Sequence, residues 1–525
     1  MLRPKAVVLL AALAGLLLAI SFPSWNSSWD GSYFAFIALI PLFFACKNQS
    51  PKYSFLIGWF AGLVYFAGTL YWVTISMHQY GNLPWVASGF FMLLLTSYLA
   101  LYVGCFALLI GFTDRSFLLL APLAWVALEY LRGHLLTGFP WNALGYSQYR
   151  NLPLIQIADI ASVYGVSALV VFINATLFLI IQTAWDKKML ARFPALILFA
   201  VLIITLLYGH YRLSLPMNDG NPLRVAVIQG NIDQAIKWSP EAREKTIAKY
   251  EQLSFPFSHR ADIVIWPEAA LPVFFQNEPL YQQRLVELTQ KGDFSLLFGS
   301  LAFKTMDFGQ ISLLNSAYLL SPSLKGPSLF RYDKMHLVPF GEYVPLQSAL
   351  FFVNKMVTGI GDFVPGKKAV VMEIPSLGGI DSKGVRPLSA KIGTAICFEV
   401  IFPEVVRQFV QNGANVIVTI TNDAWFGHSA APYQHFSMIV FRAIENRVPF
   451  ARAANTGISG FIDAHGAVLQ SGNLFVDEAR LESLSRGFQK TVYTTYGDFF
   501  AIGAVIATFI FIGVVVYRME RTQKT

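Results

Sequence analysis

The sequence predicts two structural classes in one chain: an α-helical membrane bundle of about eight spans and an α/β domain displayed on one side of the bilayer. Three observations carry this. Hydrophobic residues make up 55% of the 525 residues and charged residues only 13%, about half the ~25% charged share of an ordinary soluble domain. The apolar residues gather in eight stretches at the two ends of the chain. Between the seventh and the eighth, residues 211–498 carry regular charges, and short strand-like runs alternate with amphipathic stretches. Such a chain is too apolar to be disordered, and three cysteines staple no disulfide scaffold.

The eight stretches lie at about 6–22, 33–46, 55–75, 86–112, 117–131, 161–182, 193–208 and 499–517. A helix crossing the hydrocarbon core needs ~20 apolar residues, which makes 33–46 and 117–131 the short members. The first has the basic start of a signal peptide, but Ser21-Phe22-Pro23 is a poor cleavage site, so it is expected to stay as a helix. The loops orient the set. Arg3, Lys5, Lys47, Lys52, Arg115, Lys187, Lys188, Arg192, Arg518, Arg521 and Lys524 fall on one side, against Arg132 and Arg150 on the other. This bias predicts cytoplasmic termini and an external segment 211–498. It also locates most of the formal +8 charge on the cytoplasmic face, which leaves no basic surface for nucleic acid. The expected domains are 1–210, 211–498 and 499–525.

Within 211–498, strands are expected at 224–228, 262–266, 295–298, 316–320, 391–396, 415–420 and 460–463, and surface helices at 240–253 and 403–412. Strands alternating with helices argue for a layered α/β domain. C-x-x-C, H-E-x-x-H and G-x-x-x-x-G-K-[ST] are absent, so no metal, nucleotide or other cofactor is expected.

One cysteine, Cys397, lies outside the membrane part. It ends the run Lys391–Ile396, a position where backbone N–H groups after a strand can stabilise a thiolate. A buried structural thiol has the same appearance. Five histidines in the domain are candidate bases, but none has a carboxylate partner legible in the sequence. Glu268 follows Ile265-Trp266-Pro267, and Lys334 sits in Asp333-Lys334-Met335-His336-Leu337-Val338-Pro339-Phe340-Gly341-Glu342. Each alone reads as an ordinary turn residue or a solvated charge.

Together, Trp266-Pro267-Glu268, Asp333–Glu342 and Ile396-Cys397-Phe398-Glu399 resemble the motifs of the carbon–nitrogen hydrolase (nitrilase) superfamily, and the layout resembles its membrane-embedded acyltransferases over essentially the whole chain. Gln229–Asn231, Asn315–Tyr318, Thr421–Gly427, Asn455–Gly457 and Gly138–Tyr146 are similar as well. The resemblance implies an α-β-β-α sandwich and a catalytic Glu268, Lys334 and Cys397. Glu268 would be the general base, expected in an apolar, lipid-adjacent pocket. Lys334 and the N–H of Phe398 would hold the oxyanion, and Glu342 and Glu399 would orient the lysine. Trp238, Asn315, Trp425, Phe426 and Trp141 would contact substrate or line its portal. A loop at 346–366 is an expected lid. Phe398 stands where the family more often has Tyr.

The implied reaction moves an acyl chain from a phospholipid, phosphatidylethanolamine by preference, through a Cys397 thioester to the α-amine of an S-diacylglyceryl cysteine on an apolipoprotein. The implied setting is a bacterial inner membrane, with a monomeric enzyme whose catalytic domain faces the periplasm. Two other readings share part of the pattern: a membrane-tethered amidase that passes the acyl group to water, and a transporter or receptor whose outer domain only binds. The second calls for inward ionisable residues in the spans, where Glu129 is the only acidic one, near a helix end.

Overall fold

The computed structural model describes the chain except residues 1–2, 25–29, 114–116, 186–191, 218–221, 306–310, 323–327, 346–362, 375–389, 488 and 525. Most of the expected lid therefore lies outside the described residues, as do Arg115, Lys187 and Lys188 of the charge bias.

The membrane part holds α1 (Pro4–Ile20), α2 (Ile40–Cys46), α3 (Pro51–Leu70), α4 (Val73–Gln79), α5 (Trp85–Ile110), α6 (Phe117–His134), α7 (Leu152–Ile155), α8 (Ala158–Trp185) and α9 (Arg192–Ser214). The second domain adds α10 (Pro240–Ser254), α11 (Pro279–Gly292), α12 (Pro403–Gln411), α13 (Ala431–Asn446) and α14 (Val492–Tyr496), and α15 (Phe499–Lys524) ends the chain. Among the described residues five helices are long and apolar enough to cross a membrane: α3, α5, α8, α9 and α15. Every expected stretch falls on helical segments, but two are interrupted. At 33–46 a 3₁₀ turn, Ser32–Phe36, precedes the seven-residue α2, which starts at Ile40 with Pro41 in its first turn, where the lost N–H has no helical acceptor to miss. The stretch 55–75 breaks after Leu70 into α3 and α4. Helices α3 and α5 approach closely because Gly58 allows it; a Cβ there would come within 2.6 Å of the Val103 carbonyl oxygen.

The strands are β1 (Leu223–Gln229), β2 (Ile263–Ile265), β3 (Leu271–Phe274), β4 (Ser295–Thr305), β5 (Ile311–Ser321), β6 (Ser328–Asp333), β7 (Val371–Ile374), β8 (Ala390–Ile396), β9 (Val416–Thr421), β10 (Phe450–Ala454), β11 (Gly460–Ile462), β12 (Val468–Ser471) and β13 (Glu478–Leu484). They form two sheets, ordered β13-β1-β2-β4-β5-β6 with β3 beside β4, and β12-β11-β10-β9-β8-β7. The centre of each is parallel, β1-β2-β4 and β8-β9-β10, with antiparallel edges. Alternation along the strands separates two cores. Val225, Val227, Ile263, Ile265 and Leu297 belong to the core that continues through the second sheet. Ala226, Ile228, Val264, Trp266 and Phe298 pack instead with Ile247 and Tyr250 of α10 and Leu285 of α11. With α12 and α13 on the far side, the layers are α-β-β-α, as the resemblance implies.

Helix α13 joins the two halves. All its residues but Tyr433 are buried, because it lies between the second sheet and the bundle. Its charges are matched across that seam. Glu445 accepts from Ser162 Oγ at 2.7 Å and the Val163 N–H at 3.1 Å, and pairs with Arg442 at 2.8 Å. Arg442 also donates to the Tyr146 hydroxyl at 2.9 Å. Just past the helix, Arg447 reaches Asp159 at 2.8 Å and Gln156 at 2.6 Å.

Candidate active site

Glu268, Lys334 and Cys397 each lie just beyond the C-terminal end of a strand, β2, β6 and β8 respectively, and the folded sandwich brings the three ends together. Cys397 occupies the left-handed region at φ +52°, as does Ala269, at +48°, directly after Glu268. Such backbone is disfavoured for a residue with a Cβ and persists where its surroundings fix it. Gly299 on β4 makes room for the Glu268 turn; a Cβ there would meet the Ala269 nitrogen at 2.5 Å. After Cys397 the chain enters a 3₁₀ turn, Cys397–Ile401, whose leading N–H groups, that of Phe398 among them, have no acceptor within the turn.

The Glu268 carboxylate accepts from Asn315 Nδ2 at 2.8 Å and from the Asn422 backbone N–H at 3.0 Å, with Lys334 Nζ at 3.7 Å. Its surroundings are thus polar and cationic, not the apolar, lipid-adjacent pocket expected from the sequence. Lys334 is 1% exposed and lies 3.0 Å from Glu342. Burial pulls its pKa down, but the Glu342 and Glu268 carboxylates outweigh burial and hold it above the usual lysine value. Asn315 Nδ2 also donates to Glu342 at 2.8 Å, so one amide ties together the two carboxylates that flank the lysine. Burial pushes the Cys397 thiol up, Glu268 adds to this, and Lys334 only partly opposes it. The resting group is therefore a thiol, which would need a base to act as a nucleophile.

Glu342 is placed as expected. Glu399 is not: its direct partners are other than the lysine. It accepts from the Tyr332 hydroxyl (2.7 Å), the Met335 N–H (2.6 Å), the His336 N–H (3.1 Å) and the Ile396 N–H (2.7 Å). It thereby clamps the segment after Lys334 to the strand end before Cys397. Burial, against the pull of these donors, pushes its carboxyl up to about 7. Phe398 packs its ring edge-on against Phe402.

Trp238 is half-buried beside Leu301, Leu337 and Phe363. Trp425 meets Tyr80 edge-on, its carbonyl accepting from Ser76 Oγ at 2.6 Å, and Phe426 packs on Trp72 and Trp141. Trp141 is 1% exposed and donates to Gln434 of α13 at 2.8 Å; it occupies the seam between bundle and sandwich instead of an open substrate surface.

Two groups escape the sequence reading. Lys237 is fully buried and donates to the Glu268 carbonyl at 3.1 Å, with its pKa pulled down to about 8 by burial against Glu268. Behind Cys397, Asp423 pairs with Arg452 at 2.6 Å and faces His435 Nδ1 at 3.2 Å, while His435 Nε2 reaches the Cys397 carbonyl oxygen at 3.2 Å. Asp423 lay within a family-like segment, but nothing in the sequence links it to Arg452 or His435. Among the described residues the site holds no cluster of metal-ligating side chains; the candidate group of this kind, His134, Glu404 and Asp498, lies elsewhere.

Comparison with known proteins accounts for both halves. The Apolipoprotein N-acyltransferase N-terminal domain matches residues 14–176, and Carbon-nitrogen hydrolase matches residues 224–479. The chain is 46% identical over 510 residues to Apolipoprotein N-acyltransferase of Geobacter metallireducens, covering 96% of this chain and 94% of that protein. It is 32% identical to the protein of the same name from Pasteurella multocida, covering 94% of this chain and 91% of the relative. The Photobacterium profundum relative is also 32% identical over 94% and 91% of the two chains. The chain therefore belongs to the apolipoprotein N-acyltransferase family.

Proposed function

We infer that the protein is a membrane-bound N-acyltransferase of lipoprotein maturation, with Glu268, Lys334 and Cys397 as its catalytic residues. The observation that carries this reading is the convergence of a buried lysine on two carboxylates, with the charges of Glu268 and Lys334 both acting on the Cys397 thiol. Glu268 removes the thiol proton as sulfur attacks the carbonyl carbon of a phospholipid ester. Lys334 and the Phe398 N–H stabilise the tetrahedral oxyanion. Collapse breaks the ester C–O bond, Glu268 returns the proton to the leaving alkoxide, and a lysophospholipid departs from the Cys397 thioester. The α-amine of the S-diacylglyceryl cysteine then attacks the thioester and loses a proton to Glu268. The C–S bond breaks, and the released thiolate takes that proton back.

Both substrates are lipid-anchored, which gives a reason for seating the sandwich on a bundle through α13. Phosphatidylethanolamine is the proposed donor. The short and interrupted helices complete an eight-span bundle with cytoplasmic termini and the sandwich in the periplasm, and the enzyme acts as a monomer.

The test is a single-turnover reaction of the full-length protein with acyl-labelled phospholipid. Label is expected on Cys397 as a hydroxylamine-sensitive adduct, to be lost in Cys397→Ser, and to chase onto a diacylglyceryl peptide. Chase into free fatty acid alone would make the protein a hydrolase, and no adduct at all would sink the covalent mechanism.

A further inference from the structure

Three side chains from separate elements meet where the bundle joins the sandwich: His134 at the end of α6, Glu404 in the first turn of α12 and Asp498 directly before α15. A ring nitrogen of the histidine and an oxygen of each carboxylate all lie within 4.8 Å of one another. Taken singly, an acid at a helix start and a histidine at a helix end answer the helix dipoles. Their convergence does not follow from that. Two carboxylates held so close repel unless a proton or a cation lies between them. The one basic residue of α12, Arg407, is engaged elsewhere, donating to the carbonyls of Tyr493, Thr494 and Thr495 at 3.2, 3.0 and 3.0 Å.

Three further features favour a bound ion. His134 Nδ1 lies 2.8 Å from the Tyr130 carbonyl oxygen. A carbonyl only accepts, so Nδ1 carries the proton and Nε2 keeps its lone pair; metal-ligating histidines are oriented by a bond of this kind. Asp498 Oδ1 is shut off from solvent and has no hydrogen-bond partner. The Tyr493 hydroxyl, on a side chain 0% exposed, has no partner either, and the charge acting on it most strongly is that of Asp498. Unmatched buried polar atoms are rare in folded proteins and mark a place for a further partner. His134 is exposed, which gives an ion a way in from solvent. Atoms bound to one ion at about 2.0–2.2 Å lie at most about 4.4 Å apart, so small side-chain shifts close the set.

We propose that His134, Glu404 and Asp498 bind a divalent transition-metal ion of the zinc class, with water, to which the Tyr493 hydroxyl donates, completing its coordination. One imidazole with two carboxylates suits such an ion, whereas magnesium and calcium take oxygen ligands alone. The ion has no part in the Cys397 chemistry. It ties the ends of α6 and α15 to α12, the helix that follows the Cys397–Ile401 turn, and so gives the sandwich a second fastening to the bundle besides α13.

The test uses the full-length protein in detergent, stripped with a chelator and titrated separately with zinc, cobalt(II) and magnesium. One equivalent of zinc is expected to bind and to raise the melting temperature, because an ion held only by the folded state stabilises it. Magnesium should bind at least tenfold more weakly. His134→Gln and Glu404→Gln should each weaken zinc binding by at least the tenfold that loss of an outer partner of a metal site brings. Without metal, the double variant Glu404→Gln with Asp498→Asn should melt no lower than the unaltered protein, since it removes the repulsion between the two acids. Cobalt(II) separates this site from Cys397 without any variant: visible bands lacking the near-ultraviolet charge transfer of a thiolate are expected. Failure of the unaltered protein to bind zinc would mean that the acids share a proton and would overturn the proposal. Equal zinc binding by the unaltered protein and the double variant would overturn it as well, as would a cobalt spectrum showing thiolate ligation alone.

Discussion

His435 Nε2 lies 3.2 Å from the carbonyl oxygen of Cys397 and so touches that residue's backbone, not its sulfur. Burial and then Arg452 pull its pKa down, which suits a neutral ring donating from Nε2. The ring braces the left-handed turn at Cys397. His435→Ala should therefore slow thioester formation by about ten- to a hundredfold, the effect of one buried hydrogen bond, while Cys397→Ser abolishes it. Loss of thioester in His435→Ala as complete as in Cys397→Ser would instead mark the histidine as the base.

Asn315 is expected to matter through charge placement. In Asn315→Ala, Glu268 and Glu342 each lose a charge-assisted donor, an effect of about 1.5–3 kcal/mol per bond. The acylation rate should fall at least tenfold. Asn315→Asp should be worse, because it sets a third carboxylate between two that already compete for Lys334. An Asn315→Asp enzyme faster than Asn315→Ala would contradict this arrangement.

Glu399 sets a pH dependence whose sign follows from linkage. Its carboxyl, raised from 4.5 to about 7 in the folded state, binds its proton more tightly there than in the unfolded chain. Its contribution to stability is full below about 4.5 and is lost as pH rises through about 7. His336 runs the other way, held down at about 4 by burial and Lys334; it adds stability as pH rises through its unfolded value of 6.5. The difference between the unaltered protein and Glu399→Gln isolates the contribution of Glu399. Melting temperatures from pH 5 to 8 should decline less with pH in Glu399→Gln, and parallel curves would exclude this role for the carboxyl.

The α13 seam offers a contrast between breaking a buried pair and removing it. Glu445→Ala strands the Arg442 guanidinium, which is 0% exposed, and should cost about 3–5 kcal/mol. Replacing both residues by methionine removes the stranded charge and should recover much of that loss. Thermal inactivation in detergent measures both, and a double variant less stable than Glu445→Ala would mean that the charges are needed individually.

What the sequence disclosed follows how locally each feature is encoded. Every strand expected from a β-branched run is present, from β1 to β11, because a buried parallel strand writes its apolar pattern into a few consecutive residues. The missed β6, β7, β12 and β13 lie at or beside sheet edges, where polar residues interrupt that pattern, and the short β3 pairs β4 off the main order; β10 is central and buried, but its Phe450-Ala451-Arg452-Ala453-Ala454 holds no β-branched residue to mark it. Helix α13 was missed for the opposite reason: buried on both faces, it has no polar side to give a period of 3.6. Glu268, Lys334 and Cys397, the proposed catalytic residues, stood out through the motifs that hold them, and the fold brings them together. Glu399, Lys237 and the Asp423–Arg452–His435 group were assigned wrongly or not at all, since their partners come from distant strands and only the fold makes them neighbours.

Burial of α13 on both sides has a practical consequence for anyone seeking the sandwich as a water-soluble fragment. Cut away from the bundle, residues 223–487 would present Phe441 and Arg442, which meet Tyr146, to solvent, with Glu445 deprived of Ser162 and Val163 and Arg447 deprived of Asp159. Such a fragment would meet water with a face made for protein. Its expected fate is association with itself or with membranes, and the helix carrying His435 would lose the support that keeps it against Cys397. The bundle is thus one wall of the catalytic domain's own interior.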